Sequence, residues 1–382
     1  MQLLGILAFI FALLFSVMVH EFGHYLTARR YGMRVSEFFL GFGKRLWSYQ
    51  RGETEFGIKA IPAGGYCRIE GMAPGDEMPA GEEDRAFYRA SSGKKLIVLG
   101  AGSFLHFVLG YLILFIVLAG VGVNQVLPVI DNVVANTAAE AAGFKKGDEI
   151  LSINGDKDAN WQNQLDKIRN SNGRQITFTI KRDSQILELN AAPRLTDIED
   201  GTQRYVLGVI NEFGSKRLAP LQSITSAASL TWEFTTASTK ALIQLPEKIP
   251  ALWGQTFGGD QRDEDGLVGI VGVARVSGQA ASSGELTLTE RIGTFLLIVA
   301  SLNIFVGIFN LLPILPLDGG HMAVAIADQI RAAWAKLRRR PKPAAIDVTV
   351  LTPVTAVVFV ILAALTILLL IADIFNPITL NF

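Results

Sequence analysis

Four long runs of apolar residues, each without a charged side chain, divide the chain. They are Leu3–Val19, Leu96–Ile130, Ile292–Leu317 and Val348–Ala372. Each run is near or above the roughly 18 to 20 residues that cross a bilayer as a helix, so the pattern predicts four transmembrane helices. The first run has no basic segment before it and no small-residue cleavage site after it. We therefore expect it to be retained as a helix and not removed as a secretory signal.

Between the second and third runs the pattern changes to short segments typical of a small α+β domain. Three β-type runs and one helix-like stretch, with glycine turns between them, occupy Val126–Ile130, Trp161–Ile168, Ile176–Lys181 and Ile186–Leu189. Within this region Ala142–Gly155 resembles a stretch of PDZ domains, in which a Gly-Asp turn leads into a strand that ends in Asn-Gly. The sequence therefore predicts a PDZ-like domain.

Two segments after the PDZ-like domain mix apolar residues with small and polar ones. They are Ile224–Leu245 and Gly266–Val276. Such segments suit amphipathic helices at a membrane surface, and they suit equally well helices that pack on the PDZ-like domain.

Composition agrees with a membrane protein and excludes several other classes. Of the 382 residues, 50% are hydrophobic and 18% are charged, and the 35 basic residues balance the 35 acidic ones. A chain without net charge has no global positive field to attract nucleic acid, so we expect no nucleic-acid partner. The single cysteine, Cys67, excludes an internal disulfide and an all-cysteine zinc site.

Basic residues between the apolar runs predict the orientation in the membrane. Residues 29–95 contain 12 Lys and Arg, and residues 327–347 contain 6, concentrated in Lys336–Lys342. Short loops rich in Lys and Arg stay in the cytoplasm. We therefore expect both termini and the PDZ-like domain to be exported, and the first and third helices to run from outside to inside.

The first predicted helix ends in a motif with the spacing of a zinc protease. In His20-Glu21-Phe22-Gly23-His24 the two histidines lie one helical turn apart, so both imidazoles can bind one zinc ion. Glu21 lies beside them and is predicted to take a proton from the zinc-bound water. An ionisable pair at the end of a membrane helix is costly and is usually functional.

A catalytic zinc site needs a third protein ligand, for which His106, His321 and acids near membrane ends are candidates. The third helix runs in the same direction as the first, so its inner end lies at the depth of His20 and His24. There Asp318 follows two prolines and precedes two glycines, which break the helix and leave room for a metal. The pattern favours Asp318, and His321 is interpreted as a neighbouring or solvated residue.

The paired motifs, separated by an exported PDZ-like domain, are similar to those of the site-2 protease family of intramembrane zinc metalloproteases. The nearest resemblance is to the bacterial single-PDZ branch of the regulator-of-sigma-E protease group. This resemblance implies one zinc ion held by His20, His24 and Asp318, with Glu21 as the catalytic acid and base. It also implies that Asn310 lies near the substrate or transition state. Gly57–Ile69, with Gly64, Gly65 and Tyr66, resembles the family's membrane-associated β-hairpin, which can pair with an extended substrate.

One position departs from the family pattern. Its second helix often carries Gly-Pro-x-x-Asn, whereas here Ser103 and His106 take the Pro and Asn positions. His106 is interpreted either as a donor to a developing oxyanion or as a neutral packing residue.

The predicted fold is an α-helical polytopic membrane protein with four transmembrane helices, an inserted α+β PDZ-like domain and a membrane-associated β-hairpin. Its predicted parts are residues 1–123 with the first two helices, 124–200 with the PDZ-like domain, 201–289 as an amphipathic connector, and 290–382 with the last two helices.

The predicted function is regulated intramembrane proteolysis in the bacterial cytoplasmic membrane, with the active site near the cytoplasmic side. The resemblance implies substrates that are single-span proteins shortened beforehand outside the membrane, such as anti-sigma factors, or remnant signal peptides. The PDZ-like domain is expected to gate their access. Two other classes stay open: a membrane-tethered PDZ adaptor with a structural zinc, and a zinc transporter.

Overall fold

The computed structural model describes residues 1–157, 161–197, 203–260, 262, 266–284, 286–341 and 343–378. Lys342 and the predicted domain boundary between residues 200 and 201 lie outside these ranges. The chain divides into two compact units: one combines Met1–Val121 with Leu218–Phe382, and the other is Gly122–Arg217. The predicted division into four parts stays a prediction.

The first unit is mostly helical. Its helices are α1 (Gln2–Arg30), α2 (Ser92–Ile116), α5 (Pro220–Trp253), α6 (Ile270–Ser282), α7 (Leu288–Asn310), α8 (Asp318–Leu337) and α9 (Thr352–Phe375). In the part of the chain that the structure describes, four helical segments are long and apolar enough to cross a membrane: Gln2–Arg30, Ser92–Val121, Leu288–Asn310 and Val348–Phe375. Many of their large apolar side chains are exposed, as lipid-facing surfaces require. The predicted helical fold with four candidate spans is confirmed to this extent.

Two helices end before the end of the apolar run that predicted each of them. The second ends at Val121, because Gly122 has φ +96°, a backbone conformation that favours glycine. The third ends at Asn310, because Pro313 and Pro316 cannot lie in a helix interior. A new helix, α8, then begins at Asp318.

A small β-sheet follows α1, formed by β1 (Val35–Arg51) and β2 (Thr54–Ile69). The sheet differs from a simple two-stranded hairpin, because one residue of β1 can pair on both sides: Phe39 pairs with Tyr66 and with Gly57. The start of β1 thus lies between two stretches of β2. Beside it, the end of α1, the start of β1 and the start of α2 share a buried cluster that includes Ala28, Val35 and Val98. This cluster anchors the sheet to the end of α1 that carries the histidines.

The second unit is an α+β body. It contains α3 (Ala138–Ala142), α4 (Trp161–Arg169), β3 (Val123–Val133), β4 (Glu149–Ile153), β5 (Ile176–Arg182), β6 (Gln185–Ala191), β7 (Arg194–Asp197), β8 (Gln203–Val206) and β9 (Val209–Lys216). Five strands form one sheet in the order β6-β5-β4-β3-β9, and β7 pairs with β8. Its core includes Ile130, Ile153, Phe178 and Ile180. A PDZ-like domain remains a prediction for this unit.

The connector helices α5 and α6 belong to the same unit as the apolar helices. α5 contacts α2 and α7, and α6 contacts α1, α7 and α9. The approach of α6 to α1 is close, because a Cβ atom at Gly5 would lie 2.7 Å from the Cβ of Ala281. α6 is therefore packed against the helix that carries the HExxH motif.

Candidate metal centre

Three potential ligand atoms converge where α1 meets the start of α8. His20 Nε2 lies 3.1 Å from Asp318 Oδ2, and His24 Nε2 lies 3.3 Å from the same oxygen. The two imidazole Nε2 atoms are 3.0 Å apart. Within the described ranges, His20, His24 and Asp318 are the side chains of metal-binding type that lie close enough together to hold one metal ion. The structure thus brings together residues almost 300 positions apart in sequence.

This donor set fits a zinc ion. Zinc ligands in a tetrahedral site stand about 2.0 to 2.1 Å from the metal, and hence roughly 3.3 Å from one another. The three observed separations, between 3.0 and 3.3 Å, are near that value. Two imidazoles and one carboxylate are also the ligand types of several catalytic zinc sites, which keep a further position open.

Helix α2 positions both histidines. The Nδ1 atom of His24 lies 2.8 Å from the carbonyl oxygen of Val98. A carbonyl only accepts, so Nδ1 carries the proton and Nε2 keeps its lone pair for a metal. The His20 ring lies against Gly102, where a Cβ atom would stand 2.5 Å from His20 Cε1. Likewise, a Cβ atom at Gly23 would stand 2.7 Å from the carbonyl oxygen of Ala101.

Glu21 is half-buried next to His20 and faces the β-sheet. Its carboxylate interacts with the backbone of Cys67 on β2 and, through space, with both histidines and Asp318. Burial, with a smaller effect from Glu21, raises the pKa of the Cys67 thiol. The thiol therefore stays protonated, which argues against a nucleophilic role for this cysteine.

The predicted substrate-pairing residues lie at an edge of the β-sheet beside α1. Residues 65–69 of β2 pair with β1, and they have no second strand partner within the described part of the chain. Gly65 is close to α1, since a Cβ atom there would lie 2.7 Å from Met18 Sδ. The Tyr66 hydroxyl hydrogen-bonds Glu37 and Lys59, which braces this edge from its side-chain face.

Comparison with known proteins identifies the family. The model of Peptidase family M50 matches residues 8–361. The zinc metalloprotease Rip1 of Mycobacterium bovis is 32% identical over 412 aligned residues, which cover 98% of each chain. Rip1 of Mycolicibacterium smegmatis is 30% identical over 408 aligned residues, again covering 98% of each chain.

The chain belongs to peptidase family M50.

Membership of this family confirms that the protein is a zinc metalloprotease of the site-2 type, with zinc as its cofactor. Together with the four apolar helices, it indicates a multi-pass membrane protein that works as an intramembrane protease. The enzyme class is therefore favoured over the adaptor and transporter alternatives.

The remaining predicted residues of this M50 protein are not part of the triad formed by His20, His24 and Asp318. Asn310 is the half-buried last residue of α7, and His321 lies one turn into α8, where burial lowers its pKa. His106 is buried on α2, with its ring centroid 5.0 Å from that of His20. The roles assigned to Asn310 and His106 stay predictions.

Sequence reasoning missed the residues that orient the histidines. On α2, Val98 contacts His24 and Gly102 contacts His20. Ser16 on α1 and Asn303 on α7 are buried and hydrogen-bonded to each other, and Asn303 also bonds to His106. Two features of the sequence could have indicated these residues: Gly102 next to Ser103 in the second apolar run, and Asn303 in the third.

Proposed function

We propose that this M50 protein hydrolyses peptide bonds of single-span membrane proteins inside or at the edge of the bilayer, with zinc held by His20, His24 and Asp318. The observation that carries the proposal is the convergence of three ligand atoms, all within 4.8 Å of one another, at the end of an apolar helix. Glu21 precedes the Phe-Gly-His of the same motif and shares its helix turn.

The chemistry depends on Glu21 and on the fixed orientation of the ligands. Zinc, when bound, supplies a Lewis acid that polarises a scissile carbonyl and acidifies water. Glu21 accepts a proton at its carboxylate from the attacking water and delivers it to the leaving amide nitrogen. The hydrogen bond from His24 to Val98 and the packing of His20 on Gly102 keep both imidazoles in place.

The substrate is held as an extended strand along residues 64–69. The backbone edge formed by Gly64, Gly65 and Tyr66 continues to Cys67, whose backbone interacts with Glu21. A peptide that pairs with this edge lies beside the proton-transfer group. Large apolar side chains of β1 and β2, including Phe42, Trp47 and Ile61, are exposed and support insertion of the sheet into the membrane.

The substrate must unwind before it can pair. In a transmembrane helix every peptide bond is shielded by its own hydrogen bonds, so cleavage favours segments with helix-weak residues. We propose that the substrates are anti-sigma factors or remnant signal peptides, shortened beforehand outside the cytoplasmic membrane. The unit Gly122–Arg217 acts as a PDZ-like gate that restricts access, while Asn310 supports the reacting groups.

The decisive experiment compares the wild type with Glu21→Gln. This change keeps the size and hydrogen-bonding capacity of the side chain and removes the base. We expect stoichiometric zinc in both purified proteins, and cleavage of a model single-span substrate reduced at least about 10²-fold in the variant. Glu233→Gln, at an exposed position on α5, is the matched control and should cleave like the wild type. Near-normal cleavage by Glu21→Gln would refute the mechanism.

A further inference from the structure

A buried chain of polar side chains connects three membrane helices beside the triad. Ser16 on α1, His106 on α2 and Asn303 on α7 are 3%, 2% and 1% exposed. Polar groups are costly in the middle of apolar spans and persist when they serve a purpose. Asn303 is hydrogen-bonded to both Ser16 and His106, so the three helices cannot shift independently without breaking one of these bonds.

The directions of these hydrogen bonds follow from the groups present. The amide nitrogen of Asn303 donates to the carbonyl oxygen of Val299 at 2.8 Å and to Ser16 Oγ at 3.0 Å. Ser16 accepts because its own hydroxyl hydrogen is directed to the carbonyl oxygen of Ala12, 2.8 Å away. The Asn303 side-chain oxygen is thereby oriented toward His106 Nδ1, at 2.9 Å.

This arrangement determines the tautomer of His106. An amide oxygen only accepts hydrogen bonds, so His106 Nδ1 carries the proton that bonds to Asn303. A neutral imidazole has one N–H group, so His106 Nε2 holds a lone pair and is an acceptor. In this tautomer His106 has no N–H group left to donate to a substrate.

His20 has the complementary requirement. Its Nδ1 atom is buried and has no hydrogen-bond partner among the residues that the structure describes. A histidine that binds zinc through Nε2 carries its proton on Nδ1 and usually donates it to an outer acceptor. His24 does this with Val98. The His106 ring is the neighbour of the His20 ring, 5.0 Å away centroid to centroid, although no hydrogen bond joins these two rings as the structure describes them.

Close helix packing holds the two rings in this relation. Besides the contact of the His20 ring with Gly102, a Cβ atom at Gly307 on α7 would lie 3.2 Å from the Cβ of His106. Another at Gly110 on α2 would lie 2.9 Å from Ile304 Cγ1. These glycines bring α7 near enough to α2 for Asn303 to reach His106.

We propose that His106 is a positioning residue for His20: its Nε2 accepts the Nδ1 proton of His20 in the zinc-loaded enzyme, and Asn303 and Ser16 hold His106 in the tautomer that allows this. The proposal rests on the assignment of His20 as a zinc ligand. It replaces the donor role toward an oxyanion with a role in ligand orientation. His106 is thus the acceptor for the Nδ1 proton of His20, as the Val98 carbonyl oxygen is for the Nδ1 proton of His24.

Zinc affinity of the purified protein, measured by competition with a chelator, tests the proposal. His106→Phe keeps a ring of similar size but removes the acceptor, and loss of such an outer partner lowers metal affinity about 10- to 100-fold. His106→Asn and His106→Gln restore an acceptor, and we expect them to recover most of the affinity. His321→Phe is the matched control, and we expect it to bind zinc like the wild type.

The outcomes separate this proposal from the metal assignment. If His106→Phe binds zinc as tightly as the wild type while His20→Ala loses it, the zinc site stands and the positioning role is wrong. If His20→Ala retains zinc at wild-type affinity, the assignment of the site itself is wrong. Equal losses in the Phe, Asn and Gln variants would also contradict the positioning role, because the acceptor would then not matter.

A measurement on the unmutated protein covers the case in which His106→Phe does not fold. The chain has four histidines, so nitrogen-15 labelling of histidine gives few signals to assign. In the zinc-loaded protein we expect His106 protonated on Nδ1 and a nitrogen–nitrogen coupling between His20 Nδ1 and His106 Nε2. A proton on His106 Nε2, or no coupling between these two atoms, would overturn the proposal.

Discussion

Asp318 completes the candidate centre from outside α1, and its environment suits a ligand. Burial alone would raise the pKa of its carboxyl, but when no metal is bound, hydrogen bonds from His20 and His24, and the charge of these imidazoles when protonated, outweigh burial and lower the pKa below its ordinary value. A carboxylate that stays ionised can bind a cation without first losing a proton. The metal assignment therefore depends on Asp318 as much as on the two histidines.

Removal of any ligand should release the metal. We expect His20→Ala, His24→Ala and Asp318→Ala each to lose stoichiometric zinc, measured by elemental analysis of the purified protein, and to lose proteolysis with it. His321→Ala serves as the control and should keep its zinc, since His321 lies outside the triad. The third ligand is misassigned if Asp318→Ala keeps zinc and His321→Ala loses it.

At the scale of elements, the span that contains α9 has the smallest buried share of the four candidate spans. None of the residues in its most apolar stretch, all of which the structure describes, is buried within the protein. The buried residues of α9 are Ala372 and Asp373, near its end. Asp373 accepts a hydrogen bond from the backbone N–H of Gly272 on α6 at 2.7 Å and pairs with Arg262 at 3.2 Å. Both side chains of this ion pair are almost fully buried. Asp373 therefore attaches α9 to α6 through Gly272, and to the segment that precedes α6 through Arg262.

Breaking this pair should destabilise the helical unit. Asp373→Ala leaves the Arg262 charge buried without its partner, which typically costs about 3 to 5 kcal/mol. We expect a clearly lower melting temperature in thermal unfolding of the detergent-solubilised protein, and a smaller decrease for Asp373→Asn, which keeps an acceptor for Gly272. Glu233→Ala, at an exposed position, is the control. A melting temperature of Asp373→Ala equal to that of the wild type would show that the pair does not anchor α9.

At the scale of the whole molecule, the distribution of basic residues predicts how the chain is threaded through the membrane. Reporter tags after Ala80 and within residues 336–342 should report the cytoplasm, and a tag near residue 200 should report the exterior. The reason is that residues 29–95 and 327–347 carry the Lys and Arg clusters. An exterior signal from the tag at residues 336–342 would contradict the four-span topology.

The gate proposal can be tested by removing the unit Gly122–Arg217. Its ends are adjacent, because Val123 pairs with Lys216. The flanking residues are also adjacent, since the backbone N–H of Leu218 donates to the carbonyl oxygen of Leu118 at 2.9 Å. A short flexible bridge can therefore replace the unit. We expect the deletion variant to cleave a shortened substrate at the wild-type rate and also to cleave a full-length substrate, as followed by gel mobility of tagged substrates.

The control for this experiment is Glu21→Gln in the same deletion, which should cleave neither substrate. A deletion variant that remains folded and zinc-loaded yet cleaves neither substrate would mean that the removed unit is required for catalysis. Such a result would reject the gate and leave the metal assignment intact.

The local sequence pattern was sufficient to predict those features whose physical cause lies within a few neighbouring residues. The spacing of His20 and His24 places both on one helix face at 3.6 residues per turn, and Pro313 and Pro316 end α7 before Asp318. The end of the second span was less certain, because Val126–Ile130 continues the apolar run and also has the composition of a strand. In the structure this segment lies in β3. The sequence pattern was ambiguous because a strand of a buried sheet and a membrane helix both need apolar side chains.

The sequence by itself indicated the candidate spans, the His-Glu-x-x-His motif, the candidate proton-transfer residue and the candidate third ligand, because each depends on helix periodicity, helix breaking or bilayer thickness. The tertiary structure alone decided which side chains meet across helices. The packing of His20 on Gly102, the bond from His24 to Val98 and the network through Asn303 join residues between 74 and 287 positions apart. Such contacts depend on how rigid helices pack against one another, and periodicity within one helix carries no information about its neighbour.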